Sequence, residues 1–182
     1  IGTELSVRRF PTAVLSLVVM NLGYFLLFRY SPAHAGKIGA LALDTQHPTL
    51  LNAFTACFLH GGWVHLLGNM IFLVTFGPAL ESRITGARFL ILYLACGIGG
   101  MLIQVEANAL AGFGRSPTFV LGASGAVSGV LGLFAIRCGF ARVRVAHVTM
   151  ALVQGQSRVG TVRLNGAVTV TGWILLQIAY AA

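Results

Sequence analysis

The sequence predicts an all-α integral membrane protein, a polytopic bundle of apolar helices, and three observations predict it. Only 9% of the 182 residues are charged while 57% are hydrophobic, whereas a soluble domain carries roughly 25% charged residues. The hydrophobic residues come in long blocks, several near the ~20 residues that a membrane span needs. The basic residues stand in short clusters between those blocks rather than along them.

The elements follow in order. Residues 1–9 are polar and end in Arg8-Arg9, and Phe10–Tyr30 is a first span. It is too long for the apolar core of a signal peptide, and no small-residue cleavage site follows it closely. Residues 31–58 make a long connection punctuated by Pro32, Gly36, Asp44 and Pro48, with apolar pieces at Ile38–Leu43 and Leu50–Phe58. Such a loop is expected to lie partly in the membrane interface. His60-Gly61-Gly62-Trp63 breaks the chain before a second span, Val64–Leu80. A polar turn with Glu81, Arg83 and Arg88 leads to a third span, Phe89–Val105. Residues 106–120, with Gly112, Gly114 and Pro117, form a second long connection. A fourth span, Ser124–Ile136, is followed by Arg137, Arg142 and Arg144. Residues 145–163 are mixed and expected at the interface, and Leu164–Ala181 is a fifth span.

The net charge of +8 does not point to nucleic acid, because the basic clusters lack interleaved aromatics. They read instead as topology signals. Arg8, Arg9, Arg83, Arg88, Arg137, Arg142, Arg144, Arg158 and Arg163 fall on one side of the predicted bundle, leaving Arg29, Lys37 and Arg115 for the other. The rule puts the N-terminus in the cytoplasm and both long connections outside. Cys57, Cys96 and Cys138 lie in or beside apolar stretches, as packing residues rather than a disulfide or metal framework.

Two stretches carry chemistry. Leu121–Gly132 opens with Gly122-Ala123-Ser124-Gly125 and continues with Gly129 and Gly132, glycines three and four apart on one helix face. Small residues let membrane helices approach closely, so the serine is either incidental to packing or buried at the head of a site. His65 and Asn69, four apart on the second span, share a face. Intramembrane polar groups are functional candidates, although an interhelical hydrogen bond would also explain them. The predicted topology places His65, Asn69 and Ser124 at similar depth near the outer surface. Together they are an inventory for acyl transfer: a serine nucleophile and an oxyanion held by His65, Asn69 and backbone N–H groups at Ala123 and Ser124. Gly122 would let the backbone turn sharply there. The HExxH helix of a metalloprotease is absent, since no glutamate lies between His60 and His65. Asp44 is the single aspartate, so a pair of intramembrane aspartates is excluded too.

Gly122-Ala123-Ser124-Gly125, with the upstream FLHGGWVHLLGNM of Phe58–Met70, resembles the rhomboid family of intramembrane serine proteases. The likeness extends to the GARF turn of Gly86–Phe89 and the ARVRV segment of Ala141–Val145. The resemblance implies Ser124 as nucleophile, His65 and Asn69 as the oxyanion pair, and His60 as a histidine near the membrane surface that is not usually the base. No metal or organic cofactor is implied. Two features depart from the family pattern. Leu51-Asn52 stand where a Trp-Arg pair often anchors the first outer loop. The family's base is a histidine on a sixth span, and residues 1–182 supply no match. His147 lies beyond the far end of a fourth span roughly 20 Å long, and His34 and His47 lie in the outer loop.

The expectation is therefore one rhomboid-like domain over 1–182, five spans of an expected six, incomplete at its C-terminus and inactive alone. A sixth span would bring the histidine and pack small residues on Gly125 and Gly129. The function expected is that of an intramembrane serine endopeptidase cleaving transmembrane segments of other membrane proteins, with water reaching Ser124 between spans two, four and five. The alternative is a non-catalytic relative that binds or chaperones transmembrane clients, against which stands the joint presence of Ser124, Gly122, His65 and Asn69. A small transporter would need charged residues inside several spans. The expected partners are transmembrane substrates and the lipid bilayer, with no nucleic acid. The expected location is a bacterial plasma membrane.

Overall fold

Apolar blocks of span length become helices in the computed structural model, which describes residues 2–3, 10–31, 33–110, 118–138, 142–151 and 156–181. Arg8, Arg9, Pro32, Gly112, Gly114, Arg115 and Pro117, on which the predicted connections drew, lie outside those residues. A two-residue strand β1 (Gly2–Thr3) precedes α1 (Thr12–Tyr30). A short 3-10 turn (Ala35–Lys37), α2 (Ile38–Leu41), β2 (Leu43–Asp44) and α3 (Leu50–Ala56) fill the first connection. Then come α4 (Trp63–Ile84), α5 (Gly86–Leu110), β3 (Phe119–Val120) and α6 (Ser124–Cys138). A hairpin of β4 (Arg142–Ala151) and β5 (Gln156–Asn165) leads into α7 (Gly166–Ala181).

The five predicted spans are all helices. Among the described residues α1, α4 and α5 are long and apolar enough to cross a membrane, and α6 is apolar but shorter. At 15 residues α6 is roughly 22 Å long, against a hydrocarbon thickness of ~30 Å. Large apolar side chains such as Val19, Ile91 and Ile103 remain exposed on α1 and α5. A helix hydrophobic all round fits lipid rather than water on its outer face, and the protein is an integral membrane protein.

α6 is the buried centre. Ala126, Val127, Val130, Leu131 and Phe134 are buried along it, and Phe134 meets Phe76 of α4 edge-on with ring centroids 4.8 Å apart. Glycine brings α5 against it: a side-chain carbon at Gly125 would stand 3.3 Å from the Gly100 Cα, and one at Gly129 would collide with Cys96. The sequence expectation put a further helix on Gly125 and Gly129; among the described residues it is α5 that packs there. Gly132, the last glycine of the stripe, has nothing within 4 Å of such a carbon. At the opposite end from Ser124, the buried Glu81 of α4 accepts hydrogen bonds from the Ala13 and Val14 N–H groups at 3.0 and 2.9 Å. Its carboxylate thus satisfies donors that the start of α1 leaves open, at the positive end of that helix dipole.

The first connection is anchored without the Trp-Arg pair. The Asn52 side chain donates to the Ala40 and Ala42 carbonyls at 2.9 and 3.1 Å, and Thr55 donates to the Leu41 carbonyl at 2.6 Å. β2 then pairs antiparallel with β3, Leu43 opposite Val120 and Asp44 opposite Phe119. The two long connections are therefore stitched together directly before Ser124. Across residues 145–163, expected only to be mixed and interfacial, β4 and β5 pair over ten residues each, and β1 joins at Gly2 opposite Arg144. The period-2 alternation of Arg142-Val143-Arg144-Val145 fits β4.

Candidate active site

The site is built where the first turns of α4 and α6 meet. Gly122 sits at φ +128°, a backbone conformation that L side chains rarely adopt. Its N–H donates to the Ala56 carbonyl at 2.9 Å, which ties the turn to the end of α3. The space where Gly122 lacks a side chain is filled by His65: a Cβ there would lie 2.6 Å from both Cε1 and Nε2 of the imidazole. Two sequence-predicted groups, on α4 and on the turn before α6, are thus in direct contact. Ala123 is buried, and its carbonyl accepts the first helical bond, from the Val127 N–H at 2.9 Å. The N–H groups of the first turn, beginning at Ser124, then have no intrahelical acceptor and stand at the positive end of the helix.

Asn69 is buried one turn below His65 and donates to the His65 carbonyl at 3.0 Å. That bond fixes which end of the amide is NH₂ and leaves one amide hydrogen to donate elsewhere. His60 is 5% exposed and packs edge-on against His65 with ring centroids 5.1 Å apart. Burial, with His65 as a lesser cause, holds the His60 imidazole down to about 3, while the Phe58 carbonyl opposes that shift; the ring is neutral.

Ser124 is half-buried. It opens on a cavity of about 210 Å³ lined by Gly100 and Gln104 of α5, Val120 and Leu121 of the approach, Ser128 of α6 and Gln177 of α7. Neither His60, His65 nor Asn69 lines it. The expectation had water reaching Ser124 between spans two, four and five; the cavity beside Ser124 lies between α5, α6 and α7. A chain of hydrogen bonds closes one side. The Trp173 indole N–H of α7 donates to the Ser128 hydroxyl at 2.9 Å, and that hydroxyl donates to the Ser124 carbonyl at 2.7 Å. Gln104, Ser128, Trp173 and Gln177 went unnoticed in the sequence. Two amides inside otherwise apolar helices were the available signal, of the same kind that singled out Asn69. His34 pairs with the Ser31 hydroxyl at 2.9 Å, His47 is exposed in the loop, and His147 lies in β4 opposite Gly160. No cluster of metal-binding side chains occurs among the described residues.

Comparison with known proteins supplies the kinship. Rhomboid-like protein 11, chloroplastic, of Arabidopsis thaliana is 32% identical over 123 residues, 66% of this chain and 39% of its own. The putative rhomboid protease YdcA of Bacillus subtilis is 29% identical over 134 residues, 70% of this chain and 63% of its own. The rhomboid protease GluP of the same bacterium is 30% identical over 128 residues, 67% of this chain but 24% of its own. The chain thus spans less than two thirds of the length of these relatives. No solved structure matches it. A family model for the rhomboid domain matches residues 47–182, a stretch that holds α3, the His65–Asn69 face, the Gly122 turn and α6. With well over half of its length so matched, the chain belongs to the rhomboid family.

Proposed function

We propose that the chain forms the core of an intramembrane serine endopeptidase that cleaves transmembrane segments of other membrane proteins. Ser124 is the nucleophile, and His65, Asn69 and the N–H groups of Ala123 and Ser124 hold the oxyanion. Gly122, Gly125 and His60 shape the site. The observation that carries this assignment is the seating of the His65 ring in the space left by Gly122. It joins the donors of α4 to the open N–H groups at the head of α6. The cavity beside Ser124 gives water and an unwound substrate strand a place to enter, with Gln104 and Gln177 to bond its exposed backbone. The N-terminus is cytoplasmic, on the strength of the arginine distribution. A bacterial plasma membrane is the location, on the strength of the two Bacillus relatives.

The test is fluorophosphonate labelling of the full-length protein in membranes, paired with cleavage of a model transmembrane substrate. Ser124→Ala should abolish both, and Asn69→Ala should slow cleavage about 100-fold, the usual effect of losing one oxyanion donor. Undiminished cleavage by Ser124→Ala would refute the serine mechanism. Absence of labelling and cleavage in the unmutated protein, with transmembrane clients still bound, would favour the non-catalytic alternative.

A further inference from the structure

A second cavity, of about 220 Å³, lies between the last turns of α1, Ile38 of α2 and the chain at Leu59–Gly61. Its wall is apolar where Tyr24, Phe25 and Phe28 line it and polar where Arg29 and His60 do. His60 is the telling residue. It is 5% exposed, yet neither ring nitrogen has a hydrogen-bond partner of good geometry. A buried polar ring left so costs free energy unless something in the cavity completes it. A neutral imidazole offers one N–H donor and one acceptor nitrogen. Arg29 adds an exposed guanidinium, suited to bidentate capture of a phosphate. Arg29 also stands one residue before the end of a membrane-length helix, Thr12–Tyr30. That is the depth at which a bilayer presents its phosphates. The volume is smaller than the ~300 Å³ at which drug-sized pockets begin, so it suits a headgroup and the first part of a chain rather than a whole lipid.

We infer that this cavity is a binding site for the phosphate of a membrane phospholipid, held by Arg29 and His60 with its glycerol and upper acyl chain along Tyr24, Phe25 and Phe28. The site is independent of any role for Ser124. Because His60 packs on His65, an occupant would also steady the ring that seats against Gly122.

Native mass spectrometry of lipid-stripped protein tests it, with phosphatidylglycerol, diacylglycerol and millimolar inorganic phosphate added separately. One phosphatidylglycerol should be retained, and diacylglycerol, which lacks the phosphate, should not. Arg29→Gln should weaken retention at least tenfold, and its exposed position leaves the core intact. His60→Phe, which fills the space with a ring that cannot donate, should do the same. Should His60→Phe fail to fold, Arg29→Gln carries the comparison alone. Inorganic phosphate bound in an Arg29-dependent way without lipid retention would keep the anion site and assign it to a soluble ester. Equal retention of phosphatidylglycerol by Arg29→Gln and the unmutated protein, equal retention of diacylglycerol, or no retention of any of the three would overturn it.

Discussion

At Gly122 two demands fall on one α-carbon, a φ of +128° and a histidine ring in the place of a side chain. Gly122→Ala must meet both. Backbone strain of this kind costs roughly 1–3 kcal/mol, and the new methyl would also push His65 off the turn. The expected outcome is a lower melting temperature and at least a tenfold loss of Ser124 labelling. Gly99 is the control. Nothing lies within 4 Å of a Cβ there, so Gly99→Ala in mid-helix should be neutral or stabilising by up to about 1 kcal/mol. Equal behaviour of the two variants in a thermal shift and labelling assay would remove Gly122 from the site. Residue-level legibility in the sequence was uneven for a physical reason. His65, Asn69 and the Gly122–Gly125 turn stand out because spacing alone places them on faces and turns. Gln104 and Gln177 acquire meaning only once α5 and α7 are seen to border Ser124, and spacing within one helix does not reveal which helix stands beside another.

The α5–α6 pair shows the same limit for whole elements. The sequence marks α6 as a small-residue helix, but small residues say only that some backbone comes close. The partner is α5, whose own Gly97 and Gly100 face α6 and whose Cys96 fills the space at Gly129. Gly97 in turn makes room for the Cys57 thiol from the end of α3. A size swap across this contact is the direct test. Gly129→Ala should destabilise by about 1–3 kcal/mol, the usual cost of overpacking, because the collision is with a side chain rooted one bond from the backbone. Cys96→Gly should destabilise by leaving a gap. The double variant should recover part of both losses, with a coupling of about 1 kcal/mol or more in a double-mutant cycle. Strict additivity would mean that the two helices do not touch there. The spans themselves were legible because apolar length is a local signal. The α4 span was read as ending at Leu80, yet the helix continues to Ile84, since Glu81 is buried by its bonds to the start of α1 rather than left as a polar stop. Nothing in the sequence expectation set β4 and β5 apart as strands: Arg142 and Arg144 alternate with Val143 and Val145 but weigh first as charge, and Ser157–Arg163 carries no alternation at all.

Across the whole molecule, chemistry and charge lie at opposite ends. One end holds the Gly122 turn, the starts of α4 and α6, and the stitched connections at β2 and β3. The other holds Arg83 near the end of α4, Arg88 in the first turn of α5 and Arg137 near the end of α6. β4, with Arg142 and Arg144, pairs β1 at that same end, before α1 begins. Membrane insertion keeps such clusters on the cytoplasmic side, so the site end should face outward. The paired connections make the prediction sharp, because β2 and β3 cannot lie on different sides of the bilayer while hydrogen-bonded. His47, beside β2, and Ala87, at the start of α5, are both exposed and serve as reporters. In intact cells His47→Cys should react with a membrane-impermeant maleimide above the background of the parent protein. Ala87→Cys should react only after the cells are opened. Labelling of Ala87→Cys but not His47→Cys from outside would invert the molecule. It would move Ser124 to the cytoplasmic face and require its transmembrane substrates to unwind from the inner side of the membrane.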